Sequence, residues 1–225
     1  MDLEESRGNV GRRITHPRHT PRPKRKVESN ENRFPGWTRL GYLYNKCPSP
    51  VHRNILATLF LSGARVSEAI LIKPEQVAWN DEAIYFYDLA VLKSRRTNTR
   101  ISMIPRDPAN PFIVSFISYV ESCPTEYLLP AHAKLSGEVI QDKHTTRQTV
   151  YRKVREIDDS LFPHLLRGWC AGMLVEEYDL DVFDLQAWFK WVSTSSPSFY
   201  ARTREEGLRK KLRISKAPKR RKLDQ

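Results

Sequence analysis

The segment IYFYDLAVL (84–92) is dense in aromatic and β-branched residues and reads as a strand. The polar turn SRRTNT follows, and RISMI (100–104) reads as a second strand that stops at Pro105. Two strands joined by so short a turn form an antiparallel β-hairpin, with Lys93 at its turn. It is the one convincing sheet signal in the chain, and the remaining apolar residues keep helical spacing. Ile55, Leu56, Leu59 and Phe60 mark a helix over 51–60, broken at Ser62-Gly63. A new helix starts between Ala64 and Ser67 and carries Glu68, Ala69 and Leu71, with Pro74 just beyond it. Residues 36–60 supply one or two helices. Helices are also expected over 112–120, 145–158, 164–178 (entered after Pro163) and 181–189, where Val182, Leu185 and Phe189 share a face. Residues 192–196 (VSTSS) read as a turn, and Pro197 suits the first turn of a helix carrying Tyr200. The expected class is mainly α with a small antiparallel β-sheet, an α+β fold.

A length of 225 residues accommodates one good-sized domain with tails, or two small domains. Lys and Arg number 38 against 26 Asp and Glu, a net charge of +12, which points to a polyanionic partner. No stretch approaches the roughly 20 apolar residues a membrane span needs. The amino terminus is basic with no apolar core, unlike a secretory signal. Nucleic acid is therefore the expected partner, with no membrane, and the expected location is intracellular and DNA-associated, nuclear if the host is eukaryotic. Residues 1–35 read as a disordered basic arm, with Arg12, Arg13, Arg18, Arg22, Lys24, Arg25 and Lys26 available to phosphate. Residues 209–225 form a second basic tail. PKRKV (23–27) and KAPKRRKLD (216–224) look like nuclear import signals, although plain DNA-binding tails account for them as well. Cys47, Cys123 and Cys170 are odd in number and far apart, which favours reduced thiols over a disulfide framework or a metal site. The sequence has no HExxH, Walker-type glycine loop or GxGxxG, so neither a metal nor a nucleotide cofactor is expected.

Against that background, Arg65, Lys93, His164, Arg167, Trp191 and Tyr200 form a chemically coherent set. Cutting a phosphodiester without a metal needs a nucleophile, fixed cations for the non-bridging oxygens, a base, and an acid for the leaving oxygen. Arginine suits the cation task because it stays charged and grips two phosphate oxygens at once. Two arginines from separate helices make a clamp. Arg95 and Arg96 share the turn with Lys93 and compete with it for phosphate contact.

The order and setting of these residues resemble the tyrosine recombinase, or phage integrase, family. LFLSGARVSEAILIKPEQV (59–77) is similar to its first arginine motif, and HLLRGW (164–169) to its His-x-x-Arg motif. In FKWVSTSSPSFY (189–200), Trp191 stands nine residues before Tyr200, as a His or Trp does in the family. VLKSRRTNTRISMIP resembles its hairpin with a catalytic lysine in the turn. The resemblance covers roughly 50–210. Two positions depart from the pattern. The usual Leu-Gly-His is Phe189-Lys190-Trp191, and Gly168 follows Arg167 where a polar or aromatic residue is common.

The resemblance implies a tyrosine recombinase catalytic-domain fold over 36–208, and a role for each residue. Arg65 and Arg167 would clamp the scissile phosphate, and Lys93 would protonate the leaving 5′ oxygen. His164 would accept a proton or donate to phosphate, and Trp191 would donate its indole N–H. Tyr200 would attack and form a 3′-phosphotyrosyl link, and Glu68 would brace the site from behind. The expected substrate is double-stranded DNA, with Arg147, Arg152, Lys153 and Arg155 of the basic helix as further contacts. The expected assembly is a homo-tetramer on DNA, serving integration or excision of a mobile or viral element. Leu208, Leu212 and Ile214 would dock the tail on a neighbouring subunit. Only about 50 residues precede the catalytic region, where most members carry another helical domain, so the chain reads as a minimal enzyme or a fragment. A type IB topoisomerase and a non-catalytic DNA-binding protein with this fold are the alternative readings.

Overall fold

The structure, a computed structural model, describes residues 34–92 and 98–191 together with Leu212 and Ile214. In chain order the elements are α1 (Trp37–Lys46), α2 (Pro50–Ser62), α3 (Val66–Ala69), a 3-10 turn (Pro74–Gln76), β1 (Val77–Trp79), β2 (Ala83–Ala90) and β3 (Thr99–Pro105). Then come α4 (Pro111–Ser122), β4 (Pro130–His132), β5 (Val139–His144), α5 (Arg147–Ile157), α6 (Pro163–Tyr178) and α7 (Val182–Phe189). Helices α2, α4 and α6 each open on a proline, whose missing N–H costs nothing in a first turn. Side chains of Asn110, Thr146 and Asp181 cap α4, α5 and α7 by accepting from the free backbone N–H groups there.

Helix α2 is the centre of the molecule. Every residue from Ile55 to Ser62 is buried, and α2 packs against α4, α5 and α6. A helix apolar on all sides is one enclosed by others. Phe34 stacks on Phe60 at 5.7 Å, and Trp37 meets the same ring edge-on at 5.6 Å, so α1 is fastened to α2 by aromatic contacts. Leu212 and Ile214 are buried in the same core, whereas Leu208 lies outside the described residues.

The expected hairpin is present as β2 paired antiparallel to β3, with Ile84 opposite Ile104 and Tyr85 opposite Met103. The register shifts between Phe86 and Leu89, and Asp88 there takes a positive φ of 50°. Gln76 donates to the carbonyls of both Tyr87 and Asp88 at 3.1 Å, supplying partners the ladder loses at the bulge. The turn itself, with Lys93, Arg95 and Arg96, lies outside the described residues.

Two findings correct the reading of a single sheet. Strand β1 adds a third strand beside β2, and β4 and β5 form a separate antiparallel pair. At three residues β1 is too short to show a period. In β5, VIQDKH, no residue is buried, so no apolar alternation marks the strand. That pair closes through Gly137, which has a positive φ of 73°, with Ala133 N–H donating to Glu138 at 2.8 Å. The three cysteines are free thiols. No helix among the described residues is long and apolar enough to cross a membrane.

Candidate active site

The site is built on the junction between α2 and α3. Gly63 ends α2 with φ 54° and ψ 20°, a left-handed conformation that favours glycine. A side chain is barred there for a second reason, because a Cβ would lie 2.7 Å from the Trp188 ring and 2.8 Å from that of Phe189. The sharp turn places Arg65 at the head of α3. The Glu68 carboxylate, three residues on, accepts from the Arg65 backbone N–H at 2.9 Å and from its Nη1 at 2.8 Å. Glu68 thus caps α3 and fixes the Arg65 side chain with the same carboxylate.

Helix α6 brings Arg167 to this junction. Its Nη1 donates to the Gly63 carbonyl and stands 3.9 Å from the second oxygen of Glu68. Arg167 is 3% exposed, and its Nη2 is buried with no partner among the described residues. Its guanidinium lies over the Phe189 ring at 4.5 Å and 5.9 Å from the Trp191 ring. Trp191 stacks on Phe189 at 4.7 Å with an interplanar angle of 10° and remains 37% exposed. Arg65, Glu68, Arg167 and Trp191, expected together from three separate sequence segments, therefore converge.

Of the other expected residues, His164 is exposed on the first turn of α6, whereas Lys93 in the hairpin turn and Tyr200 lie outside the described residues. On α5, Arg147, Arg152 and Arg155 are exposed and Lys153 is half-buried. Arg152 and Lys153 share Glu156, at 3.5 and 2.8 Å, and Arg155 turns back to the Asp159 carbonyl, at 2.5 Å. Their charge is therefore partly satisfied within the helix and its C-terminal turn.

Sequence reasoning missed Arg100. It reads there as the first residue of a strand, yet it is 3% exposed and lies behind the clamp. Its Nη2 donates to the Ser62 carbonyl at 3.0 Å, and its Nη1 to the Ser102 hydroxyl and, at 3.4 Å, to the Trp188 carbonyl. The available signal was Ser102, two residues on and so on the same face of β3 as Arg100 and Ile104. A polar pair on a core-facing side needs partners, which α2 and α7 supply.

Burial dominates the electrostatics. It pushes the Arg167 guanidinium down to about 10, with Arg65 acting in the same direction. It pushes Arg100 down to about 9, with Arg167 adding to the effect. Both stay charged at neutral pH. Arg65 and Arg167 thus flank the Glu68 carboxylate with Arg100 behind them, an excess of positive charge in which Arg167 Nη2 and Arg100 Nε are buried without a partner among the described residues. Such a site suits a small multivalent anion. The Cys170 thiol, buried behind, is pushed up to about 12 and stays a neutral space-filler.

No protein-family model matches the sequence, and neither does any curated protein. Solved structures do match the fold. The XerA recombinase superposes with a TM-score of 0.51 and 18% identity, over 82% of this chain and 62% of that one. The XerH site-specific recombinase bound to difH substrate, in its pre-cleavage complex, gives 0.49 and 17%, over 75% and 50%. Its post-cleavage complex with palindromic difH gives 0.49 and 16%, over 77% and 50%. The chain therefore spans between half and 62% of the length of these proteins. Seven described helices around a three-stranded and a two-stranded antiparallel sheet give the chain the mainly α, α+β fold of tyrosine recombinase catalytic domains.

Proposed function

We propose that this chain is the catalytic part of a tyrosine site-specific recombinase, which cuts and rejoins double-stranded DNA for integration or excision of a mobile or viral element. The observation that carries the reading is the Arg65–Glu68–Arg167 cluster, with the buried free Nη2 of Arg167 and the Trp191 indole beside it. In this reading Arg65 and Arg167 bind the non-bridging oxygens of the scissile phosphate. Tyr200 attacks phosphorus, its phenolic proton passing to His164 or to water. The Tyr200 O–P bond forms as the P–O5′ bond breaks, and Lys93 protonates the departing 5′ oxygen. Trp191 donates its indole N–H to a phosphate oxygen. One phosphodiester replaces another, so the 5′ hydroxyl of the same or another strand can reverse the step without ATP or a metal. A phenol, with a pKa of about 10, is also a better leaving group on resealing than an alkyl hydroxyl.

Arg95 and Arg96 of the hairpin turn, with Arg147, Arg152, Lys153 and Arg155, would add phosphate contacts. The working form would be a homo-tetramer on DNA. The test uses supercoiled plasmid in EDTA with detergent denaturation, comparing wild type with Tyr200→Phe. Protein attached covalently to nicked or relaxed plasmid, and lost in the variant, is the expected result. Tight plasmid binding with no covalent product from either protein, on plasmids carrying candidate attachment sites as well, overturns the chemistry and leaves a DNA-binding protein.

A further inference from the structure

Arg100 has no place in the chemistry above, yet at 3% exposed it is as enclosed as Arg167. No described carboxylate lies within ion-pair reach of it. Its partners are backbone carbonyls and one hydroxyl, and its guanidinium also lies 5.2 Å over the Trp188 ring and 5.9 Å over that of Phe189. A buried charge held in this way is a poor source of stability, because desolvation offsets what the hydrogen bonds return. Its value lies in where those bonds go.

They go to three pieces of chain that are far apart in sequence. The Ser62 carbonyl ends the helix that leads into the first arginine motif. The Trp188 carbonyl belongs to α7, which presents Phe189 and Trp191. Arg100 itself sits on β3, the strand that returns from the Lys93 turn. Ser102 reinforces the junction by donating its hydroxyl to the same Ser62 carbonyl at 3.1 Å. The next carbonyl along, that of Gly63, is the one that receives Arg167. Two consecutive carbonyls thus each take one guanidinium, and the Phe189 ring contacts both cations.

We infer that Arg100 is a positioning residue: by bonding the Ser62 and Trp188 carbonyls it fixes the Gly63 carbonyl and the Phe189 ring that orient Arg167. The inference rests on the proposed function in taking Arg167 as a phosphate ligand. It goes further in linking the hairpin strand to the clamp through a residue that would never touch DNA. A clamp donor displaced by a fraction of an ångström loses its transition-state geometry while general phosphate attraction persists.

The experiment compares Arg100→Gln, Arg100→Lys and Ser102→Ala with wild type in two measurements. One is the rate of covalent complex formation on plasmid, alongside plasmid affinity. The other is nitrogen-detected NMR of the Arg167 guanidinium, assigned with Arg167→Lys, which needs no activity. Arg100→Gln should cleave about thirtyfold more slowly, with plasmid affinity within about threefold, and should lose the resolved, slowly exchanging Arg167 signals. Arg100→Lys keeps the charge and reaches one carbonyl, so it should recover part of the rate and of the signals. A purely structural role would lower the melting temperature of all three and leave the Arg167 signals where they are, which overturns the inference. If Arg100→Gln does not fold, Ser102→Ala decides, with about fivefold slower cleavage and shifted Arg167 signals expected and unchanged values overturning. If wild type forms no covalent complex, the proposed chemistry fails, and the Arg167 signals still decide whether Arg100 positions it.

Discussion

The Arg167 guanidinium on α6 donates to the carbonyl of Gly63, 104 residues earlier, at the end of α2. The second arginine motif is therefore held by the backbone that introduces the first. Gly63 must satisfy this bond, a left-handed φ and the close approach of two aromatic rings at once. Gly63→Ala should destabilise by about 2–5 kcal/mol, combining left-handed strain with overpacking against Trp188 and Phe189. Urea denaturation checks the magnitude. Strand transfer should fall further than the unfolded fraction explains, because the carbonyl that seats Arg167 moves.

Among the described residues Glu68 is the one carboxylate facing Arg65 and Arg167, and its side chain is 1% exposed. Glu68→Gln keeps the shape and the acceptor for the Arg65 backbone N–H but leaves the cations unbalanced. Losing one partner of a buried pair costs about 3–5 kcal/mol. A lower denaturation midpoint is expected, together with partial restoration by sulfate or phosphate, which would refill the negative position. A variant as stable as wild type without added anion would mean that the arginines do not need Glu68.

Legibility of the sequence followed the range of the interaction. Helix α2 and the β2–β3 hairpin carry strong periods, and capping residues or prolines mark where α4, α5, α6 and α7 begin. These elements lie close to where periodicity puts them. The meeting of Arg65, Glu68, Arg167 and Trp191 was legible only through motif order. The β4–β5 pair was not, because its exposed polar residues leave no alternation. Arg100 was hidden for a different reason. An arginine beginning a strand reads as surface, and only the distant carbonyls of Ser62 and Trp188 make it core. Phe189 was legible as core, but not as the ring on which Arg167 and Trp191 rest.

Lys190 stands where the family resemblance leads one to expect glycine, and its backbone explains the preference. It ends α7 with φ 51° and ψ 45°, a left-handed conformation adopted without a glycine. Lys190→Gly should remove about 1 kcal/mol of steric strain, offset in part by the greater freedom of glycine in the unfolded chain. The expected net effect is a small rise in melting temperature with Trp191 still stacked on Phe189. Thermal melts followed by tryptophan fluorescence check both. A drop in stability would mean that the lysine side chain makes a contact that outweighs the strain.

On α5, Arg152 and Lys153 share Glu156, whereas Arg147 has no acidic partner among the described residues. A cation already paired must leave its carboxylate before it can release counterions from DNA. Arg147→Ala should therefore weaken plasmid binding more than Arg152→Ala, and lower the salt slope of log affinity by about 1. Binding titrations at several salt concentrations separate the two, and equal slopes for both variants would remove α5 pairing as the explanation.

Glu156 also gives the chain a predictable response to acid. Hydrogen bonds from Lys153 and then His52 hold its carboxyl below the ordinary value of 4.5. The unfolded chain therefore binds more protons than the folded one as the pH falls. The stabilisation is fully present above about 4.5, the unfolded value, and is lost as the pH drops through the lower folded value. His52, buried on α2, depends on this carboxylate at 2.8 Å, with Ser49 on its other ring nitrogen at 2.8 Å. Glu156→Gln should lower stability at pH 7, and the gap to wild type should close as the pH falls below 4.5. Denaturant midpoints measured from pH 7 down to pH 3 test this directly. A gap that stays constant over that range would mean that Glu156 acts by packing and neutral hydrogen bonding, not by charge.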